Sequence, residues 1–230
     1  MYQLAPYVFA CNTGRHSMFL DLRRDRYLSV PQSQMNELAP CIADWNMPTP
    51  RPDIDSAPPT SPKTLIDDLL DAGIIIPLHH ESPSPPAHLL RTTIAKQSVF
   101  ERETPASPNR KWLSALYALF YADCLLRSST LWRIIQMLSS NAEHHRHNLV
   151  EVELLTRHFL SIRPWYPRNY LCLFDSLALL IFLLRRGIRA QWIFGVREEP
   201  FAAHCWVQYD ILVLNEYLDK THLYTPIMII

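Results

Sequence analysis

The chain has 230 residues, 48% of them hydrophobic, with 22 basic and 22 acidic side chains and no net charge. That length and apolar content suffice for one large domain or two small ones, and the charge balance argues against nucleic acid, which selects for a basic surplus. The five cysteines, at 11, 41, 124, 172 and 205, include no Cys-x-x-Cys pair; this excludes zinc-ribbon and thioredoxin readings and suits free thiols in a reducing cytoplasm. Residues 1–6 lack a basic n-region and an apolar h-region, so no secretory signal is expected. The longest apolar run, residues 170–184, is broken by Asp175 and falls short of the ~20 residues of a membrane helix. A buried core helix is the expectation there, and no membrane partner is expected.

The N-terminal part reads as strands followed by helices. Residues 7–10 form a short apolar strand; residues 17–22 alternate, turn through Arg23-Arg24-Asp25-Arg26, and return as 27–30, a hairpin pattern. A helix is expected from Pro31-Gln32-Ser33 to about Trp45. A second opens at Ser61-Pro62, with Ser61 as cap and Pro62 at the first helical position. Its apolar face is Leu65, Ile66, Leu69 and Leu70, and Gly73 stops it before Ile74-Ile75-Ile76. Three strands then helices describe a small winged-helix-like module.

Proline is concentrated in the middle, with twelve of 19 between Pro48 and Pro108 and only four glycines in the whole chain. Residues 80–86 and 103–109 read as stiff, extended linkers. The expected division is therefore 1–80, a Pro-rich linker at 81–108, and a second domain at 109–230. That second domain opens with a long helix over 111–138, perturbed near Ser128-Ser129-Thr130. Helices follow at 150–162 and 173–186, the last stopped by Gly187. The period then changes to two, giving strands at 191–196, 203–209 and 211–214 with a turn at Asp210. Residues 226–230 are apolar and pack on the sheet. The fold class is α+β.

The chemistry concentrates in this second part. Cys172 stands at the start of an apolar helix, where unpaired backbone N–H groups lower a thiol's pKa and can steady an oxyanion. His204 follows 32 residues later and Glu216 a further 12. A thiol, an imidazole and an orienting carboxylate form the set that covalent acyl transfer requires, with no metal and no cofactor. His204 on one strand and Glu216 at the end of the next fall side by side in an antiparallel pair. Each residue also has a plain structural reading, as a small buried thiol or a strand histidine. Cys205 is the competing nucleophile, but strand alternation turns it away from His204 and into the core. Asp175 and Asp210 are the competing acids. Glu143-His144-His145-Arg146-His147 looks like a metal tract but reads better as a solvated loop between helices. Trp206 shares the His204 side of its strand.

Several ordered motifs carry a family resemblance. They are Cys172-Leu-x-x-Ser176-Leu-Ala, Leu183-Leu-Arg-Arg-Gly187-Ile, Phe194-Gly-Val-Arg197-x-x-Pro200-Phe-x-x-His204-x-Trp206-Val, Leu214-Asn215-Glu216 and Tyr224-x-Pro226-Ile227. Together, over about residues 150–227, they resemble the lasso-peptide B proteins, which are transglutaminase-like (papain-like) cysteine peptidases that remove the leader from a lasso-peptide precursor. The resemblance implies Cys172 as nucleophile, His204 as base and Glu216 as third member, where many members carry Asp. It implies that the released core passes to an ATP-dependent lasso cyclase.

The N-terminal module resembles the PqqD-like winged helix-turn-helix by which such proteins recognise their precursor. In that family the leader adds as a strand to the sheet edge, so that backbone pairing gives affinity and side-chain pockets give specificity. The resemblance places the edge at Tyr27, Leu28, Ser29 and Val30 and the facing helix at 63–72. Tyr27, Leu28, Leu69 and Leu70 then line the groove, although the same four side chains also suit a core. Asp67, Asp68 and Asp71 argue against DNA on that helix. Two rival functions keep the same residues: acyl transfer to an amine instead of water, and a non-catalytic protein that only presents the precursor.

Overall fold

A computed structural model describes residues 1–43, 45, 62–78, 93–102, 112–138 and 147–230. The expected Ser61 cap, most of the proline-rich stretches and residues 143–146 of the histidine tract lie outside those residues. The described residues form an α+β fold. Its N-terminal part contains β1 (Tyr2–Leu4), β2 (Val8–Asn12), β3 (His16–Asp21), β4 (Arg26–Pro31), α1 (Gln32–Leu38), α2 (Pro62–Asp71) and β5 (Ile75–Pro77). Strands β2, β3 and β4 form an antiparallel sheet in that order, and β1 and β5 pair separately as a two-stranded ribbon. The hairpin joining β3 to β4 turns at Asp25, which adopts a left-handed backbone (φ 50°).

The rest of the chain contains β6 (Gln97–Ser98), α3 (Trp112–Ser128), α4 (Leu131–Leu138), α5 (Leu149–Ile162), α6 (Cys172–Leu184), β7 (Gln191–Arg197), β8 (Ala202–Tyr209), β9 (Leu212–Val213), α7 (Leu218–Thr221) and β10 (Thr225–Ile229). The five strands form one sheet in the order β10-β7-β8-β9-β6, antiparallel except for the β6–β9 pair. Two differences from the sequence expectations follow. Residues 226–230 do not merely pack on the sheet; most of them form its edge strand β10, where Pro226 costs little because one side has no ladder to donate to. Residues 97–101, inside the stretch expected as linker, form an edge strand and a 3₁₀ turn of the same sheet.

Helix α6 is the centre of the larger core. Phe174 and every residue from Ser176 to Leu183 are buried, each Leu, Ile and Phe among them contributing about 1.5–3 kcal/mol by leaving water. Such all-round burial explains the continuous apolar run, and no helix among the described residues is long and apolar enough to cross a membrane. The helix ends in a Schellman motif: Gly187 takes φ 75°, Ile188 N–H reaches Leu183 O at 3.1 Å and Gly187 N–H reaches Leu184 O at 2.9 Å. Helix α2 ends in the same way, with Gly73 at φ 68° and Ile74 N–H on Leu69 O.

The β2–β3–β4 sheet has two buried faces. Val8, Ala10, Phe19 and Val30 pack with Met35, Leu38 and Leu69 into the smaller core. The alternate side chains Cys11, Met18 and Leu20 belong to the same core as α6, with Phe9 and Tyr27 against it. One three-stranded sheet therefore closes both cores. Leu20 is 1% exposed, so Leu20→Ala is expected to cost about 2–5 kcal/mol. Chemical denaturation followed by near-ultraviolet dichroism should show one shifted transition for the whole chain; two separate transitions would contradict a shared core.

Candidate active site

The three sequence-selected residues converge. Cys172 is the first residue of α6, after Leu171 in an extended backbone (φ −136°, ψ 125°), so its own N–H has no acceptor within the helix. His204 lies on β8, opposite Gly195 of β7. Glu216 follows β9 and accepts from His204 Nε2 at 2.7 Å. With Nε2 engaged by the carboxylate, Nδ1 is the ring nitrogen left to face the thiol.

Glu216 is fixed from several directions. Its Oε2 also accepts from Lys220 Nζ at 2.6 Å, its Oε1 accepts from the Tyr217 N–H at 3.0 Å, and its backbone carbonyl accepts from Ser98 Oγ at 2.6 Å. Burial alone would raise this carboxyl; the hydrogen bonds from His204, Lys220 and Tyr217 outweigh it and hold the group down to about 2. Asn215, beside it, accepts from the Val207 N–H at 2.8 Å and so ties the Glu216 segment to β8.

Behind His204, Trp206 lies nearly parallel (26°, centroids 6.2 Å) and Tyr224 packs at 5.2 Å. Gly195 makes this possible, because a Cβ there would meet Tyr224 Cβ at 2.8 Å and Trp206 Cζ3 at 3.0 Å.

The electrostatics favour an ion pair. Hydrogen bonding with the Cys205 side chain is the largest influence on the Cys172 thiol, followed by His204. Burial opposes both, and the net effect lowers Cys172 from 9.0 to about 4. For His204, burial disfavours the charged ring, but Cys172 and Glu216 outweigh it and raise its pKa above 6.5. A thiolate and an imidazolium therefore coexist over the interval from about pH 4 up to the raised His204 pKa, the charge state a thiol nucleophile needs.

Cys205 departs from its expected role. It is buried in the core, as alternation requires, yet its thiol also meets Cys172, because the start of α6 crosses β8 there. Ser176 Oγ lies 3.4 Å from Cys205 Sγ, donates to the Cys172 carbonyl at 2.5 Å and accepts from Trp192 Nε1 at 2.8 Å. Burial drives the Cys205 pKa well up, which keeps it a protonated donor to its neighbour.

The competing acids have other duties. Asp175 accepts from the Leu171 N–H at 2.8 Å and from Arg163 Nε, fixing the start of α6. Arg163 is buried and also donates to the carbonyls of Tyr166, Arg168 and Asn169, so it shapes the loop that leads into Cys172. Asp210 stands in the β8–β9 turn with φ 52°. Ser98 and Arg163 escaped sequence reasoning, and Asn215 stood in the Leu214-Asn215-Glu216 motif without a role of its own.

The residues expected at the leader groove separate. Val30 and Leu69 are closed into the smaller core, against α1 and one another's neighbours, and line no open surface; Leu70 packs against the same core. Tyr27, Leu28 and Ser29 instead line a cavity beneath the turn joining β7 to β8. Burial raises the Tyr27 phenol, and its ring packs against the core that contains Cys205 and against which Cys172 also packs. Of the histidine tract, His147 contacts the Gly187 carbonyl at 3.2 Å.

A buried helix that presents a cysteine to a strand histidine and a following acid is the arrangement of the transglutaminase-like superfamily, whose family model matches residues 115–229, half of the chain; the chain belongs to that family. It is also similar to the microcin J25-processing protein McjB of Escherichia coli, 27% identical over 127 residues. That stretch is 54% of this chain and 55% of the relative, so the match spans about half of each. No solved structure matches the chain.

Alkylation of Cys172 by iodoacetamide, followed by mass mapping of the labelled peptide, tests the ion pair. The rate is expected to hold as pH falls and to reach half its plateau near pH 4, where an ordinary cysteine is already inert below about pH 7. In Cys205→Ala the half-point should move upward, because the largest lowering influence is gone.

Proposed function

We propose that this chain is a leader peptidase of lasso-peptide biosynthesis, which binds the leader of a ribosomally made precursor and hydrolyses the leader–core bond. The observation that carries this reading is the Cys172–His204–Glu216 constellation, with the 2.7 Å contact between His204 Nε2 and Glu216 Oε2. The likeness to a protein whose name marks it as a processing protein supports it, as do the motifs shared with the B proteins.

The steps balance with these residues alone. The Cys172 thiolate adds to the scissile carbonyl carbon, and the oxyanion is met by the Cys172 backbone N–H at the start of α6. His204 gives its proton to the nitrogen of the core as the C–N bond breaks, leaving the leader as a thioester on Cys172. His204, now neutral, takes a proton from water; the hydroxide attacks the thioester, and the leader leaves with a free carboxylate. Glu216 keeps the imidazole in place and stabilises its charged form.

In the same reading, residues 1–80 recognise the precursor in the manner of a PqqD-like module and residues 109–230 cut it. The new N-terminal amine of the core is then the substrate of an ATP-dependent cyclase in the cytoplasm, and neither metal nor cofactor enters the reaction.

Mass spectrometry of the precursor incubated with the chain and the cyclase tests this. The wild type should release a leader one water heavier than its acyl fragment. Cys172→Ala should release none, and Glu216→Gln should lower the rate by up to ~10⁴-fold, as loss of the acid does in serine triads. Equal cleavage by wild type and Cys172→Ala would overturn the proposal. A leader carrying an added amine would indicate acyl transfer instead.

A further inference from the structure

One oxygen of the catalytic acid carries two bonds. Glu216 Oε2 accepts from His204 Nε2 at 2.7 Å and from Lys220 Nζ at 2.6 Å. Lys220 follows Glu216 by four residues, and the turn of α7 brings its ammonium back onto the carboxylate. We propose that Lys220 is a positioning residue of the reaction: acting through the shared oxygen of Glu216, it limits how tightly the carboxylate holds the His204 imidazolium, and so keeps that ring able to give its proton to the leaving nitrogen. The inference rests on the leader-peptidase reading and adds a fourth member to the Cys172–His204–Glu216 set.

Three observations support this role. First, Glu216 is placed without Lys220. The Tyr217 N–H holds Oε1 at 3.0 Å, and Ser98 Oγ holds the backbone carbonyl at 2.6 Å. What Lys220 adds is charge, delivered to the same atom that His204 uses. Second, the charges alternate across the site: the Cys172 thiolate, the His204 imidazolium, the Glu216 carboxylate and the Lys220 ammonium sum to zero. Removing the ammonium leaves one negative charge in excess, which favours the protonated ring. Burial is the first influence that lowers the His204 pKa; Cys172 and Glu216 outweigh it, and Lys220 pulls with burial. Third, the site is shielded. The His204 and Glu216 side chains are 10% and 11% exposed, so their attraction is screened far less than that of a surface pair. Lys220, at 48%, approaches from the solvent side.

The neighbouring elements contribute other titratable groups. Tyr224 packs on the His204 ring, with the Arg197 guanidinium 5.7 Å from the tyrosine centroid. Glu101 accepts from the Leu218 N–H at 3.1 Å, Cys205 turns to the other face of β8, and Asp219 and His222 flank Lys220 on the surface. Among the described residues, the carboxylate itself is bonded by His204, Lys220 and the Tyr217 N–H. The step at issue is the breaking of the C–N bond, in which the bonding pair goes to nitrogen, the imidazolium proton follows it, and the ring becomes neutral. A ring held too firmly in its charged form is a weaker acid and gives that proton more slowly.

The test compares the full chain with Lys220→Met, which keeps most of the stem, and Lys220→Arg, which keeps the charge. With precursor and cyclase at neutral pH, Lys220→Met should lower kcat about three- to tenfold, a fraction of the 10²–10⁴-fold that a positioned acid supplies, with little change in KM. Activity is present below the His204 pKa and is lost as pH rises through it. The alkaline limb of kcat/KM should therefore move to higher pH in Lys220→Met, because that pKa rises when the ammonium is removed. A merely structural loss would lower the rate without moving the limb upward. Lys220→Arg should restore both. Titration of the His204 ring by NMR, with the resonance assigned through His204→Asn, reads the same shift without substrate. A midpoint unchanged or lowered in Lys220→Met would overturn the role, as would a raised midpoint with unchanged kcat. Should the wild type cleave no precursor, the peptidase reading fails and the ring titration decides alone: a midpoint raised in Lys220→Met and restored in Lys220→Arg upholds the control of His204 by Lys220, and any other result overturns it.

Discussion

The structure depends on where the first turn of α6 meets β8. Burial of almost the whole of α6 leaves its N-terminus no freedom, so Cys172 is delivered to one point on the sheet. Arg163 and Asp175 secure that end: the buried guanidinium gathers the carbonyls of the incoming loop, and the carboxylate accepts the Leu171 N–H. On the other side, Glu216 and the ring stack of Trp206 and Tyr224 prevent His204 from turning away. The energy for this comes from packing an apolar helix, and the chemistry uses the precision that close packing imposes.

The second constraint is the shared sheet. A recognition module on a flexible tether would bind a peptide without orienting it. Here the side chains of β2–β4 that face α6 are part of its core, and the β7–β8 turn is fastened to β3 through Glu198 and His16. In the proposed reading, a leader bound by the N-terminal sheet is thus presented at a set distance from the thiolate. Such positioning converts binding into effective concentration at the reacting bond.

Much of this was legible in the sequence because the signals are local. The apolar run of α6, its Gly187 stop, the change to period two at residue 191 and the Cys–His–Glu order all lie within about fifty residues. What remained hidden depends on distant partners. β6 has two residues and means nothing until β9 lies beside it. Pro226 disguised β10, since proline weakens a strand assignment except at an edge. Ser98 meets Glu216 across 118 positions, and no spacing rule reaches that far. Alternation placed Cys205 in the core but could not show that the start of α6 would bring Cys172 to it. Leu69 was a candidate for both groove and core, and only the packing of α2 against the sheet, which leaves it 1% exposed, places it in the core.

The central claim is that Cys172 attacks the precursor and carries its leader as a thioester. Intact-protein mass spectrometry after mixing with precursor and quenching in acid within milliseconds to seconds reads that species directly. The account predicts a transient adduct equal to the leader minus one water, mapped to Cys172 and absent from Cys172→Ala. Efficient cleavage with no adduct at any time, by a protein whose Cys172 has been fully alkylated, would contradict it.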